Sequence, residues 1–270
     1  MPLTEMGMMV VSLSPGGLNP GGVIVAKRIT LTESADDLMK FHADALFTYD
    51  ANGRMRRVNE PTGPGGSAPS FYLGRTVSGC IARYRADLPS DLIDELETLW
   101  LTEPVSESVS EFPVHHERYL ELIDARIGAK PVSAGPVYCV RAENAGSIPP
   151  PDSKVAELLP DDTSFLQQWL HEWLDYLSCA RPFLVTVSGD AAVSVCCSVR
   201  ITTKAHEAGV ETAPNYRRHG YGVAAVADWA RAVRSMKRVP LYSTSWENEA
   251  SQAVARKLAM MPVGVDFSVG

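Results

Sequence analysis

Long apolar runs are missing from this chain of 270 residues. No stretch of about 18 or more apolar residues occurs, so the sequence predicts no membrane-spanning helix. Residues 1–25 combine neither a basic start nor a continuous apolar stretch, and we expect no secretory signal there. Two Pro-Gly-Gly tripeptides predict a flexible leader over residues 1–21. These features favour a cytoplasmic protein that does not contact membranes.

Cysteine is also scarce. The five cysteines are an odd number, two are adjacent, and none have the spacing of zinc ligands. A disulfide framework is therefore disfavoured, and we expect reduced thiols and no bound metal. The residues are Cys80, Cys139, Cys179, Cys196 and Cys197.

Basic residues are outnumbered, and the net charge of −7 argues against general nucleic-acid binding. The charge is unevenly spread, because Lys and Arg dominate from Arg217 to Arg238. That stretch favours a ligand rich in phosphate. Acids dominate from Asp87 to Asp124. Solvated helix faces explain them most simply, and steering of a cationic amine is the functional alternative.

The chain length allows two domains, and the pattern of the first part predicts an α/β domain of unknown role over residues 22–130. Asn52-Gly53 is a turn signal between two short strand patterns and predicts a hairpin. Ser90 is a candidate N-cap. Strands are predicted at 22–30, 46–49, 55–58, 71–75 and 79–84, and helices at 36–46, 89–101 and 115–127.

The second part, residues 135–270, begins with a short apolar strand at 137–140. Helices are predicted at 152–159 and 163–177. Strands follow at 183–187, 191–200 and 205–212, with Ser188-Gly189-Asp190 as a tight hairpin. Pattern alone indicates a mixed α/β fold.

The segment after the last of these strands carries the most informative pattern, which runs from Tyr216 to Ala224. In this segment, Arg-x-x-Gly-x-Gly comes directly before a run of apolar residues with the spacing of one helix face. Free backbone N–H groups at a helix start, glycines that allow close approach, and arginines all suit a phosphate. The alternative is an ordinary helix start.

Residues 207–222 resemble motif A of the GNAT superfamily of acetyl-CoA-dependent N-acetyltransferases. The similarity continues over 240–251, which look like the fifth strand of that family and the start of its fourth helix. We place the resemblance over residues 135–270. It implies a mixed, mostly antiparallel GNAT-like sheet flanked by helices, with acetyl-CoA as co-substrate.

The resemblance also implies a set of CoA-binding residues. Arg217, Arg218, His219, Gly220, Tyr221, Gly222, Val223 and Ala224 match the pyrophosphate loop, and Val210, Glu211 and Thr212 match the strand that pairs with pantetheine. Asn248 matches a residue that often contacts the pantetheine arm, and Ser251 lies on about the same helix face. A simple N-cap role for Asn248 is an equal alternative.

The resemblance leaves the catalytic base open. Glu207 matches a family glutamate that often deprotonates the amine, and Glu211 shares its strand face. His206 is a third candidate on the opposite face, and water or a distant residue is a fourth. The family often has a tyrosine as general acid seven residues after the asparagine, and here that position is Ala255.

Two functions follow. The first is acetyl transfer from acetyl-CoA to a primary amine of a small molecule by direct attack. The alternative is a non-catalytic acyl-CoA-binding regulatory protein, which Ala255 favours. A dinucleotide-dependent oxidoreductase is disfavoured, because no acidic residue is placed to hold a ribose. We expect the N-terminal region to wall the acceptor cleft, and a homodimer is possible.

Overall fold

The computed structural model describes residues 33–105, 108–128, 130–141 and 149–270. These residues belong to one compact unit. The predicted leader and the strand predicted at 22–30 lie outside the described residues. Within them, no helix has both the length and the apolar character needed to cross a membrane.

Seven elements come from the first part of the chain. Helix α1 begins with a capping box, in which Ser34 and Asp37 satisfy each other's backbone N–H groups. The predicted hairpin is confirmed, with Gly53 at φ 74° in its turn. Ser90 is the first residue of its helix rather than the N-cap, which is Pro89. The bounds are α1 Ala35–Leu46, β1 Phe47–Tyr49, β2 Met55–Val58, β3 Phe71–Arg75, β4 Cys80–Tyr84, α2 Ser90–Trp100 and α3 His116–Ile127.

The second part supplies seven strands and two helices of the described chain, and the strands predicted at 183–187, 191–200 and 205–212 are confirmed. The bounds are β5 Val132–Cys139, β6 Ser153–Glu157, β7 Phe183–Ser188, β8 Ala191–Ile201, β9 Ala205–Thr212, α4 Tyr221–Ser235, β10 Val239–Ser243, α5 Glu249–Lys257 and β11 Met261–Val269.

Two helix predictions are wrong. Residues 152–159 contain strand β6, which gains a full ladder by pairing with β7. Residues 163–177 form two short 3₁₀ segments, Thr163–Phe165 and His171–Tyr176, instead of one helix. Their apolar side chains have helical spacing, but they fill an irregular layer over β7 and β8. Packing against the sheet decides the local conformation there, and periodicity alone does not.

One nine-stranded sheet organises the molecule, in the order β4-β3-β11-β5-β10-β9-β8-β7-β6. Among the described strands, only β9 and β10 pair in parallel, and the other pairs of this sheet are antiparallel. The predicted fold class is confirmed. Strands β3 and β4 lie before residue 130 and pair onto β11, so the N-terminal residues extend the same sheet.

Both faces of the sheet are covered. Successive side chains of a strand point to opposite faces, so each strand contributes side chains to the apolar layers on both faces of the sheet. Helices α2 to α5 cover one face, where Trp229 of α4 is fully buried. Helix α1 and the 3₁₀ segments cover the other face. The two residues His206 and Glu207 of β9 therefore enter different layers.

A buried charge cluster fastens α1 to the sheet. His42 of α1 is fully buried, and its Nδ1 lies 2.5 Å from Oε1 of Glu207 on β9. Its Nε2 lies 3.0 Å from Oδ2 of Asp266 on β11. Burial alone lowers the pKa of His42, but the charge of Glu207 and hydrogen bonds to both carboxylates outweigh it and raise the pKa to about 10. The imidazolium thus donates to two carboxylates at once.

We predict that His42→Gln destabilises the protein by about 3–5 kcal/mol at pH 6, because two carboxylates lose their shared cation in a buried place. The pKa of His42 is higher in the folded chain than in the unfolded one. Its protonation therefore stabilises the fold fully below about pH 6.5, and this contribution is lost as pH rises toward about 10. Denaturant unfolding at several pH values measures the difference.

The matched control is His171→Gln, which changes an exposed histidine. It should leave stability unchanged across this pH range. A gap between wild type and His42→Gln that stays constant from pH 6 to 10 would contradict a charged His42.

Candidate functional site

The parallel pair β9 and β10 separates partway along its length. Pairing joins Val239–Leu241 to Ala205–Glu207 and stops there. Strand β9 continues to Thr212, and β10 continues to Ser243 paired with β5. The later residues of β9 therefore border a wedge rather than a neighbouring strand. Backbone groups on that side of β9 are available to a ligand.

The N-terminus of α4 lies at the mouth of this wedge. Its N-cap is Gly220 at φ 94°, and among the described residues no side chain caps the helix. Arg218 is also left-handed, at φ 67°. A Cβ on Gly222 would lie 3.0 Å from Oγ1 of Thr212, so glycine lets the helix start close to β9. The first N–H groups of the helix thus remain available for an anion.

Helix α5 forms the opposite wall. Asn248 is its N-cap, and the Asn248 Oδ1 accepts from the backbone N–H of Ser251 at 3.0 Å. The cap alternative predicted for Asn248 is confirmed. The walls enclose a cleft of about 690 Å³. The cleft is lined by eleven of the predicted CoA-binding residues, namely Val210, Glu211, Thr212, Arg217, Arg218, Gly220, Tyr221, Gly222, Val223, Asn248 and Ser251.

The other two predicted binding residues lie elsewhere. Ala224 is buried in α4, and His219 is exposed and does not line the cleft. Two cations of the cleft, Arg256 and Lys257, were not predicted. In the sequence, they are a pair of basic residues in the last turn of an amphipathic helix. Such a pair by itself indicates only the end of a helix.

Positive charge predominates in the cleft. Four cations line it against the two carboxylates of Glu211 and Glu249. The Nε of Arg217 donates to the carbonyl of Thr212 at 3.1 Å, which ties the loop to the end of β9. A helix N-terminus and four cations together suit a polyphosphate. The cationic residues are Arg217, Arg218, Arg256 and Lys257.

The three predicted bases have different surroundings. His206 is buried on the α4 face, where its Nδ1 lies 2.9 Å from Ser198 Oγ. Burial, with a smaller effect of the charge on Arg238, lowers the pKa of His206 to about 4. Trp229 also donates to Ser198, at 3.0 Å. His206 is thus a neutral member of a core network.

Glu207 lies at the point where β9 and β10 separate. It is 2% exposed, and the imidazolium of His42 occupies its Oε1. Ser243 of β10 donates to its Oε2 at 3.4 Å. His42 is not among the predicted site residues, because no motif marks a histidine 165 residues away as the partner of Glu207.

Glu211 is half-buried on the same strand face as Glu207. The indole Nε1 of Trp173 donates to its Oε2 at 2.7 Å. Glu211 lines the 690 Å³ cleft and also a second cavity of about 340 Å³. Of the three predicted bases, Glu211 alone lines either cavity.

Ala255 and three cysteines belong to the core. Ala255 is 2% exposed and packs against α4. Burial raises the pKa of the thiols of Cys139, Cys196 and Cys197, which keeps them protonated. All five cysteines are free thiols. In the described part of the chain, no group of three or more His, Cys, Asp or Glu is arranged to hold a metal ion.

We predict that Asn248→Ala destabilises the protein by about 1 kcal/mol, because the N–H of Ser251 loses its acceptor. Asn248→Asp retains an acceptor and should keep wild-type stability. Denaturant unfolding compares the two variants. Equal stability of Asn248→Ala and wild type would show that the cap contributes nothing.

The part of the chain that forms this cleft matches a known protein family. The family model of the GNAT acetyltransferase matches residues 138–262. No curated protein sequence gives a significant match. The chain is also similar in structure to three solved acetyltransferase-fold proteins, at 12–14% identity.

The first is a GCN5-related N-acetyltransferase-like protein from Streptococcus suis, with 14% identity, a TM-score of 0.43, and coverage of 75% of this chain and 85% of that one. A GNAT-family acetyltransferase from Colwellia psychrerythraea has 14% identity, a TM-score of 0.44, and coverage of 88% and 98%. A GCN5-related N-acetyltransferase from Kribbella flavida has 12% identity, a TM-score of 0.44, and coverage of 89% and 96%.

The family match spans β9, the loop before α4, and α5, which are the elements that build the cleft. Residues 138–262 are thus the part of this chain that is similar to a GNAT acetyltransferase.

Proposed function

We propose that the protein transfers an acetyl group from acetyl-CoA to a primary amine of a small molecule. The observation that carries the proposal is the cleft between β9 and α5. There, a helix start without a side-chain cap and four cations lie beside the wedge between two parallel strands. Acetyl-CoA has the matching parts, which are a pyrophosphate, an extended amide-bearing arm and a thioester.

Each part of acetyl-CoA has a counterpart in the cleft. The pyrophosphate binds to the N–H groups of Tyr221, Gly222 and Val223, with Arg217 and Arg218 adding charge. The amides of the pantetheine arm pair with the backbone of β9 past Glu207, in place of the missing strand. The thioester then lies in the wedge between β9 and β10.

The transfer is a direct attack. The lone pair of the neutral amine forms an N–C bond with the thioester carbonyl carbon, and the C–S bond breaks with its electrons going to sulfur. The nitrogen then loses a proton, sulfur gains one, and CoA leaves as a thiol. With Ala255 in the core, no side chain at that position donates the proton to sulfur, and we assign the donation to water.

Calorimetric titration of the full chain tests the cofactor. We expect saturable binding of acetyl-CoA, with NAD binding at least tenfold more weakly because it lacks the pantetheine arm. Titration with dephospho-CoA measures how much the 3′-phosphate contributes to the binding free energy. A folded sample that binds none of these would refute the proposed function.

Charge removal tests the loop. We predict that Arg218→Ala weakens acetyl-CoA binding by roughly 1–3 kcal/mol, the scale of a lost charge-assisted hydrogen bond. Gly220→Val should weaken it as well, because a β-branched residue is strained at φ 94° and the helix start must move. Calorimetry measures both affinities.

Arg118→Ala is the matched control, because Arg118 is exposed on α3 and pairs with Glu121. It should bind acetyl-CoA as wild type does. Wild-type affinity in Arg218→Ala and Gly220→Val together would place the pyrophosphate elsewhere.

Ala255 stands where the family often has a tyrosine as general acid. This difference favours one alternative, a non-catalytic acyl-CoA-binding regulatory protein. Both functions need the same cleft, so binding does not separate them. Release of CoA thiol with a panel of primary amines does: turnover supports the transferase, and tight binding without turnover supports the regulatory protein.

A further inference from the structure

The first turn of α5 depends on the loop that precedes it. All nine residues of this helix are described, and Ala255, near its end, is the one that is buried. Residues 248–251, at its start, line the cleft proposed for acetyl-CoA. Core packing therefore fixes the end of α5, and the loop of residues 244–248 must fix the turn that faces the ligand.

Strand β5 holds one side of this loop. The backbone N–H of Thr244 donates to a carbonyl of β5 at 3.2 Å. A Cβ on Gly135 of β5 would clash with the carbonyl oxygen of Thr244, so the loop approaches the strand this closely only over a glycine. The side chain of Gln252 then joins the loop to the helix, because its Nε2 donates to the carbonyl of Trp246 at 2.6 Å.

Trp246 ties the other side of the loop to the α2–α3 connection, which the structure describes at residues 101–105 and 108–115. The indole Nε1 of Trp246 donates to the carbonyl of Val109 in this connection, at 2.8 Å. The ring of Phe112 meets the indole edge-on, with centroids 4.6 Å apart at 70°. The indole also packs against the apolar layer beneath α2 and α3. The loop before α5 is thus held by a segment that comes 137 residues earlier.

A buried ion pair organises the α2–α3 connection. The side chains of Arg75 and Glu103 are 3% and 0% exposed, and Nε of Arg75 lies 3.8 Å from Oε2 of Glu103. The Glu103 carboxylate accepts from the backbone N–H groups of Val114 and His115, both at 2.9 Å. Arg75 donates to the carbonyl of Phe112 at 3.0 Å. Hydrogen bonds to charged groups are stronger than neutral ones, so the backbone around Phe112 is firmly placed.

The contact between Phe112 and Trp246 lies near the surface. Phe112 is 44% exposed, and Trp246 is partly buried. Truncating either side chain therefore leaves no closed cavity in the core, and the variants should fold. Trp246 is not among the residues that line the cleft. Any effect of this contact on a ligand must pass through the position of α5.

We propose that Trp246 is a positioning residue for acetyl-CoA, and that the α2–α3 connection acts on the cleft through it. The indole holds the loop, and the loop holds the first turn of α5 at the distance from β9 that the cofactor requires. The proposal rests on the acetyl-transfer function above. It gives the N-terminal part of the chain a role in cofactor binding that no contact with the cofactor is needed to perform.

Calorimetry with acetyl-CoA tests the positioning. We expect Trp246→Ala to weaken acetyl-CoA binding roughly three- to tenfold, the scale for a residue that acts on a site without touching its ligand. Trp246→Phe keeps a ring against Phe112 and should recover part of the affinity. The matched control is Trp100→Ala, because Trp100 packs in the same layer but donates to Tyr84 of the edge strand β4. It should lower the melting temperature and leave the Kd unchanged.

A double-mutant cycle separates positioning from a simple loss of stability. We expect Phe112→Ala to weaken acetyl-CoA binding about two- to threefold in the wild-type chain and no further in Trp246→Ala, because the ring acts on the cleft through the indole. Binding is measured well below the melting temperature of each variant. Variants that are destabilised and bind acetyl-CoA as wild type does would show a structural role only, and would overturn the proposal.

Hydrogen exchange without ligand follows the helix itself. We expect Trp246→Ala to speed exchange at the amides of Ser251 and Gln252 and to leave the amides of β7 as in wild type. Unchanged exchange at Ser251 and Gln252 would overturn the positioning of α5 and leave the proposed function intact. Failure of the wild-type chain to bind acetyl-CoA would refute the proposed function and the role in cofactor binding, while the exchange rates still decide whether Trp246 holds α5.

Discussion

The separation of β9 from β10 is the constraint on which the site depends. The parallel strands β9 and β10 are joined by a crossover that contains α4. The start of this helix therefore lies at the end of the sheet where both strands have their carboxyl ends. Because pairing stops at Glu207 and Leu241, a wedge opens beyond this pair, next to the start of α4. Backbone donors of α4, backbone groups of β9 and the cations of α5 then surround one cleft.

The N-terminal residues contact β9 from the face opposite α4. Helix α1 places an imidazolium between Glu207 and Asp266, which fixes Glu207 as a buried ion-pair partner at the apex of the wedge. Glu60 reaches the second cavity and neutralises Arg200. The region before residue 130 therefore adds two strands to the sheet and one lining residue to the second cavity.

Local signals account for what the sequence predicted. The hairpin, most strands and the loop before α4 follow from turn residues, alternation and glycine spacing, which act within a few residues. The irregular segment at 163–177 was predicted as a helix because its periodicity is helical, while the sheet beneath it selects 3₁₀ turns. His42 and Trp173 were missed as partners of Glu207 and Glu211, because each contact joins residues far apart in the sequence. Such contacts depend on the register of the whole sheet.

Hydrogen exchange with and without acetyl-CoA tests the central claim most directly. We expect the cofactor to slow exchange at the amides of Tyr221 to Val223 and along Ala208–Thr212, because these groups replace water with ligand acceptors. Amides of β3 and β4, at the far end of the sheet, should not change. Saturating acetyl-CoA that protects neither the start of α4 nor the end of β9 would contradict the account.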